Sequence, residues 1–169
     1  MQRRPRCVWS SGFTLVEMAI VLTLIGILAV LAILSTQTLV QRARAQATAT
    51  QLVFMRTGLL SLAASCEKLP LTAEAGGDPG LTYRPDGATC WNGPYLAHWP
   101  ATTSFGRGTR FRYQGEAGTT ARLTAESLKA ADARSLATVV TPMFAGQAHL
   151  VSTRDTWSVS VDVDPFHQR

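Results

Sequence analysis

Residues 13–34 form an apolar run of 22 residues in which Glu17 is the only charged side chain. As a helix rising ~1.5 Å per residue, such a run covers roughly 33 Å, enough to cross the hydrocarbon core of a bilayer. Ordinary secretory signals have apolar regions of about 7 to 15 residues, so this one is long for that role. Its carboxylate is the second anomaly. An ionised acid at the centre of a membrane helix costs on the order of 2.5–3.5 kcal/mol and less near an end. Glu17 lies near the start of the run, so it requires hydration at the headgroups or a cationic partner.

Basic residues flank the run on both sides: Arg3, Arg4 and Arg6 before it, Arg42 and Arg44 after it. Three against two places the N-terminus on the cytoplasmic side by a narrow margin. The formal net charge of +5 invites a nucleic-acid reading. The first twelve residues carry three of those charges and no acid, and without them only +2 is left. One local basic stretch persists in Arg107, Arg110 and Arg112, around Phe105 and Phe111. It reads as a solvated strand face, with contacts to DNA or a surface ligand as the competing role. At 169 residues the chain has room for a single folded head.

The order Ser11-Gly12-Phe13-Thr14-Leu15-Val16-Glu17, followed by Met18-Ala19-Ile20-Val21-Leu22 and Gly26-Ile27-Leu28-Ala29, resembles the cleavage and methylation motif of the type IV pilin superfamily. The resemblance covers about the first 35 residues. It implies that a membrane aspartyl peptidase, the prepilin peptidase, recognises Gly12, cuts before Phe13 and methylates the new amino terminus. It also implies a partner for Glu17: the Phe13 amine of a neighbouring subunit, which neutralises the carboxylate and sets the axial register. The implied organisation is a leader at 1–12, a membrane and filament-core helix at 13–34, a neck and amphipathic helix at 35–66, and a head at 67–169. Such a cut removes Cys7, which Pro5 and Arg6 already make unsuitable for lipid attachment. The remaining pair, Cys66 and Cys90, reads as a disulfide in an oxidising compartment.

No proline occurs between Pro5 and Pro70, which predicts one helix from about Phe13 to Cys66. In its second half Leu52, Met55, Leu59, Leu62 and Cys66 recur at helical spacing, an apolar stripe that should face a sheet. Arg42, Arg44 and Gln46 precede that stripe on a stretch without a sizeable core face. Residues 74–79 and 85–87 read as loop. Alternation predicts strands at Thr109–Tyr113, Thr119–Leu123 and Thr156–Val163. A helix is expected over Thr124–Val140, capped by Thr124 and burying Leu128, Ala131, Leu136 and Val139. The fold class is therefore α+β and pilin-like: a long N-terminal helix, its first half membrane-spanning, packed on an antiparallel sheet with one short extra helix.

Within the head, Trp91-Asn92-Gly93-Pro94-Tyr95-Leu96, Trp99-Pro100 and Phe105-Gly106 resemble part of the major pseudopilin of type II secretion. The chain departs from it in having Ser104-Phe105-Gly106 where Pro-Trp-Gly is usual, and in lacking placeable acidic calcium ligands. His98, His149 and His167 are scattered away from metal-ligand spacing. Asp162 and Asp164, with Asp155 nearby, read as a polar strand face in preference to a calcium site. No nucleophile turn appears, and residues 76–80 lack the Lys-Ser/Thr ending of a phosphate loop. Neither a catalytic residue nor a cofactor or metal is expected.

These features predict a structural subunit of a type IV pilus or pilus-like filament, a minor pilin, polymerised through its N-terminal helix. Its partners would be prepilin peptidase, other pilin subunits, an inner-membrane assembly platform and, before assembly, membrane lipid. It would start in the inner membrane, N-terminus cytoplasmic and head outside, and end in an extracytoplasmic filament. The alternatives are a type II secretion pseudopilin and a filament-displayed module for adhesion or DNA uptake. A further alternative is a secreted protein cut at Ala43-Arg44-Ala45, Ala45-Gln46-Ala47 or Ala47-Thr48-Ala49.

Overall fold

Without an interior proline or a run of β-branched residues to break it, helix α1 extends from Leu15 to Cys66. The computed structural model describes residues 14–71, 77–116, 120–153 and 155–165. The leader with Cys7, the Gly12–Phe13 junction, part of the loop at 72–76, Thr119 and His167 lie outside the described residues. The chain divides into two compact units, one up to Leu39 and one from Val40 on, and α1 contributes to both. In the first unit every large apolar side chain from Leu15 to Leu31 is exposed. This stretch has no polar face at all.

The second unit has its own core. Strands β1 (Arg110–Glu116) and β2 (Thr120–Leu128), helix α2 (Ala130–Met143), and strands β3 (Ala148–Thr153) and β4 (Thr156–Val163) follow α1 in the chain. The strands form one antiparallel sheet in the order β1-β2-β4-β3. Phe111, Tyr113, Leu123, Ala125, Val159, Val161 and Val163 are buried in one cluster with Leu52, Met55, Leu59 and Leu62 of α1 and Leu136 and Val140 of α2. The α+β class and the apolar stripe are as the spacing predicts. The stripe starts earlier than expected, because Ala45, Thr48 and Ala49 are fully buried. Small side chains let the helix pack closely without an obvious apolar signature, and Thr48 Oγ1 accepts a bond from Ser104 N–H at 3.2 Å.

The helix expected over Thr124–Val140 is a correction. Thr124 is no cap but the middle of β2, opposite Arg112 on β1 and Ser160 on β4. The helix starts at Ala130 and buries Ala133, Leu136 and Val140, leaving Ala131 exposed. The cause is a register shift between Ala125 and Leu128, with Ser127 at φ 60°. One extra residue in the strand puts the buried Ala125 and Leu128 three apart, which is a helical interval. Strand β3 was not expected, since five of its six residues are exposed and it shows no alternation of burial.

The chain after α1 is tied back by two devices. Cys66, the last helical residue, is bonded to Cys90 with Cα atoms 5.0 Å apart. Tyr113 Oη donates to the Pro70 carbonyl at 2.5 Å, and burial pushes its phenol well above the ordinary tyrosine range. Gly115 sits against the same carbonyl, so closely that a Cβ would collide with it. Gly115→Ala should therefore cost about 1–3 kcal/mol by overpacking. Thermal unfolding of a fragment from Val40 onward checks this, and an unchanged midpoint would show that the carbonyl moves aside freely.

Candidate functional site

The first candidate is the start of α1. Thr14 precedes the helix, and its Oγ1 accepts the N–H of Glu17 at 3.2 Å. Thr14 and Glu17 thus stand in the Thr-x-x-Glu spacing of a capping box, a signal already present in the sequence. Glu17 lies in the first turn, at the positive end of the helix dipole. Its side chain is the only ionisable one from Thr14 to Gln41. Two threonine hydroxyls farther along the helix are satisfied internally: Thr23 donates to Ile20 O at 2.8 Å and Thr36 to Ala32 O at 2.7 Å. Glu17 therefore stands out on an apolar cylinder as the one group whose charge the described side chains do not match.

The helix contains an 18-residue window apolar enough to cross a membrane, 0% of it buried. A helix that is apolar on every side needs lipid or other helices around it. Local capping stabilises a first-turn carboxylate by typically 0.3–1 kcal/mol. That is short of the penalty for a charge deep in a membrane, so the cap alone does not account for Glu17 if it is buried there.

The second candidate is the basic stretch. Arg110 and Arg112 alternate on β1 with the buried Phe111 and Tyr113, so both guanidinium groups emerge on the outer face. There both meet Glu126 of β2, Arg112 Nε at 2.7 Å and Arg110 Nε at 3.5 Å. Arg107 lies apart, in the loop before β1, between Gly106 and Gly108 at positive φ. A polyanion would have to compete with Glu126 for two of the three arginines, and nothing in this geometry favours one.

Of the acidic positions, Asp162 is likewise engaged. Asp162 accepts Arg122 Nε at 2.7 Å and lies 3.2 Å from His149 Nε2. Two basic side chains on one carboxylate oppose cation binding there. The aromatic segment is packing. Trp91 Nε1 donates to Gly80 O at 2.8 Å, and its ring meets Tyr95 edge-on at 5.8 Å. Gly93 lies under that pair, where a Cβ would strike both rings.

Residues 10–33 match the prokaryotic N-terminal methylation motif, the signature shared by type IV pilins and pseudopilins. The match begins just before the Gly12–Phe13 junction and covers Thr14, Glu17 and most of the exposed apolar helix. The motif implies processing by prepilin peptidase and assembly with other pilins. No curated protein and no solved structure matches the chain.

Proposed function

We propose that the chain is a structural subunit of a type IV pilus or pilus-like filament, a minor pilin, and that its work is polymerisation, not catalysis. The observation that carries this reading is the first part of the helix, Leu15 to Leu31, apolar on all sides, with one carboxylate in its first turn. In the membrane that surface is covered by lipid; in a filament it is covered by the same helix of other subunits. Residues 1–12 act as the leader, 13–34 as the membrane and filament-core segment, 35–66 as neck and amphipathic helix, and 67–169 as the head.

Prepilin peptidase cuts between Gly12 and Phe13, and the Phe13 amine of one subunit neutralises Glu17 of the next. The assembly platform draws the subunit from the inner membrane, with its N-terminus in the cytoplasm. The Cys66–Cys90 bond supports a head outside the cytoplasm, where disulfides persist. Intact-mass and N-terminal peptide measurements on protein from its native membrane test the processing. The expected mature chain begins at Phe13 and is one methyl group heavier than its sequence. A chain beginning near Gln46 or Thr48 overturns the proposal.

A further inference from the structure

The sheet has two edges, and among the described residues only one is guarded. On the β1 side, Thr102 bridges to Arg110, the Pro70 carbonyl lies against Gly115, and the strand carries two arginines. On the β3 side, Ala148–Thr153 contains no proline and no Lys, Arg, Asp or Glu, and its pairing with β4 is regular throughout. Native sheets usually blunt such an edge with charge, proline or a bulge. Leu150 is 42% exposed and Val151 49% exposed, one on each face of the sheet.

The register shows which backbone groups are free to pair. Asp162 N–H donates to Gln147 O at 2.9 Å, so 147 and 162 form a hydrogen-bonded pair. Alternation along an antiparallel ladder then assigns His149–Ser160, Val151–Ser158 and Thr153–Thr156 to the same class. The N–H and C=O groups of Ala148, Leu150 and Ser152 consequently point away from β4, along the open edge.

We propose that this edge pairs antiparallel with β3 of a second copy of the chain, on a two-fold axis through Leu150. An isologous contact requires the same surface on both copies, and side-chain parity, the outward groups of Ala148, Leu150 and Ser152, and the fullest overlap together select the register. Opposed residues must lie on the same face, which excludes Leu150 opposite Val151. With Leu150 opposite Leu150, Ala148 falls opposite Ser152 and His149 opposite Val151, and residues 147–153 overlap along their whole length. The two half-exposed leucines cover each other on the core-side face. On the outer face each Val151 is covered by a histidine already paired with Asp162. No like charges are opposed within 147–153. The contact is small, hence weak between free heads, and gains from multivalency wherever many heads are held on one scaffold.

The inference does not depend on the filament reading, because the second unit holds all of this core and the fragment from Val40 onward lacks the methylation motif. Sedimentation equilibrium of that fragment, up to about 1 mM, should show a monomer–dimer equilibrium. Ser152→Pro removes only an outward N–H, a position where an edge strand tolerates proline, and should weaken the dimer at least ~10-fold. Ser152→Thr should leave it intact. Should Ser152→Pro unfold the head, Val151→Lys on the exposed face gives the same ~10-fold reading. Mixing His149→Cys and Val151→Cys fragments should form a disulfide between them under mild oxidation, because those positions are opposed. A fragment monomeric throughout the range, a dimer indifferent to both edge variants, or no cross-link in the mixture each overturns the proposal.

Discussion

Glu17→Val should leave the protein in the membrane and remove it from filaments. Valine lowers the cost of insertion, so the membrane-bound pool should be at least as large as that of the wild type. Register is what the variant loses. In an apolar bundle, helices slide past one another with little change in buried area, whereas one carboxylate matched to one amine makes a single stagger favourable. If that pair is worth even 3 kcal/mol per subunit, its loss weakens each addition more than 100-fold, at about 1.4 kcal/mol per factor of ten. Immunoblots of sheared filaments against the membrane fraction measure both quantities. Incorporation of Glu17→Val at wild-type level would remove the register role.

The cap at Thr14 supplies the control that separates this role from a local one. Glu17 occupies the third helical position, where an acid favours helix initiation whether or not a neighbour exists. Glu17→Gln keeps a side chain suited to the capping box but discards the charge; Thr14→Ala discards the cap and keeps the charge. A register role predicts that the glutamine variant fails to assemble while the alanine variant assembles, its first turn frayed by about 1 kcal/mol. The reverse pattern would make Glu17 a helix-start residue and nothing more.

How far the sequence could be read follows from where burial imposes a period. The helix Leu15–Cys66 and the strand Thr156–Val163 were legible because one is uninterrupted by proline and the other alternates Trp157, Val159, Val161 and Val163 with polar residues. Strand β2 was misread beyond Leu123 because its bulge at Ser127 imitates a helical interval. Strand β3 was invisible for the reason that makes it interesting: with nothing packed on most of its surface, it carries no pattern. The candidate site was legible at Glu17, where a charge breaks an apolar run. The basic stretch was legible only as composition. That Glu126 takes both Arg110 and Arg112 follows from a strand pairing which no local signal announces.

Cys66→Ser with Cys90→Ser should strongly destabilise the head. The bond closes a loop with a sequence separation of 24. In the chain-entropy model such a closure stabilises by roughly 3.5 kcal/mol, a large share of a typical net stability of about 5–15 kcal/mol. The location adds to the effect. Between Cys66 and β1 the described chain has no helix and, beyond the single Thr102–Arg110 bridge, no strand pairing. That segment is held instead by Leu69 and Leu81 in the core, by Trp91, Tyr95, Leu96, Trp99 and Phe105 packed against it, and by point contacts. Asp78 accepts the N–H groups of Gly80, Leu81 and Thr82 and the Thr82 hydroxyl, Leu81 O accepts those of Tyr95 and Leu96, and Trp91 is tied to Gly80. All of these hydrogen bonds lie within the segment and depend on its ends being held in place. The double variant should therefore melt about 10–15 °C lower. Amide exchange should rise first over 77–109, while β2 and β4 stay protected up to global unfolding. A drop of only a degree or two would mean that the Asp78 turn and the Tyr113–Pro70 bond hold the segment without the disulfide. Asp78→Ala would then become the more damaging substitution.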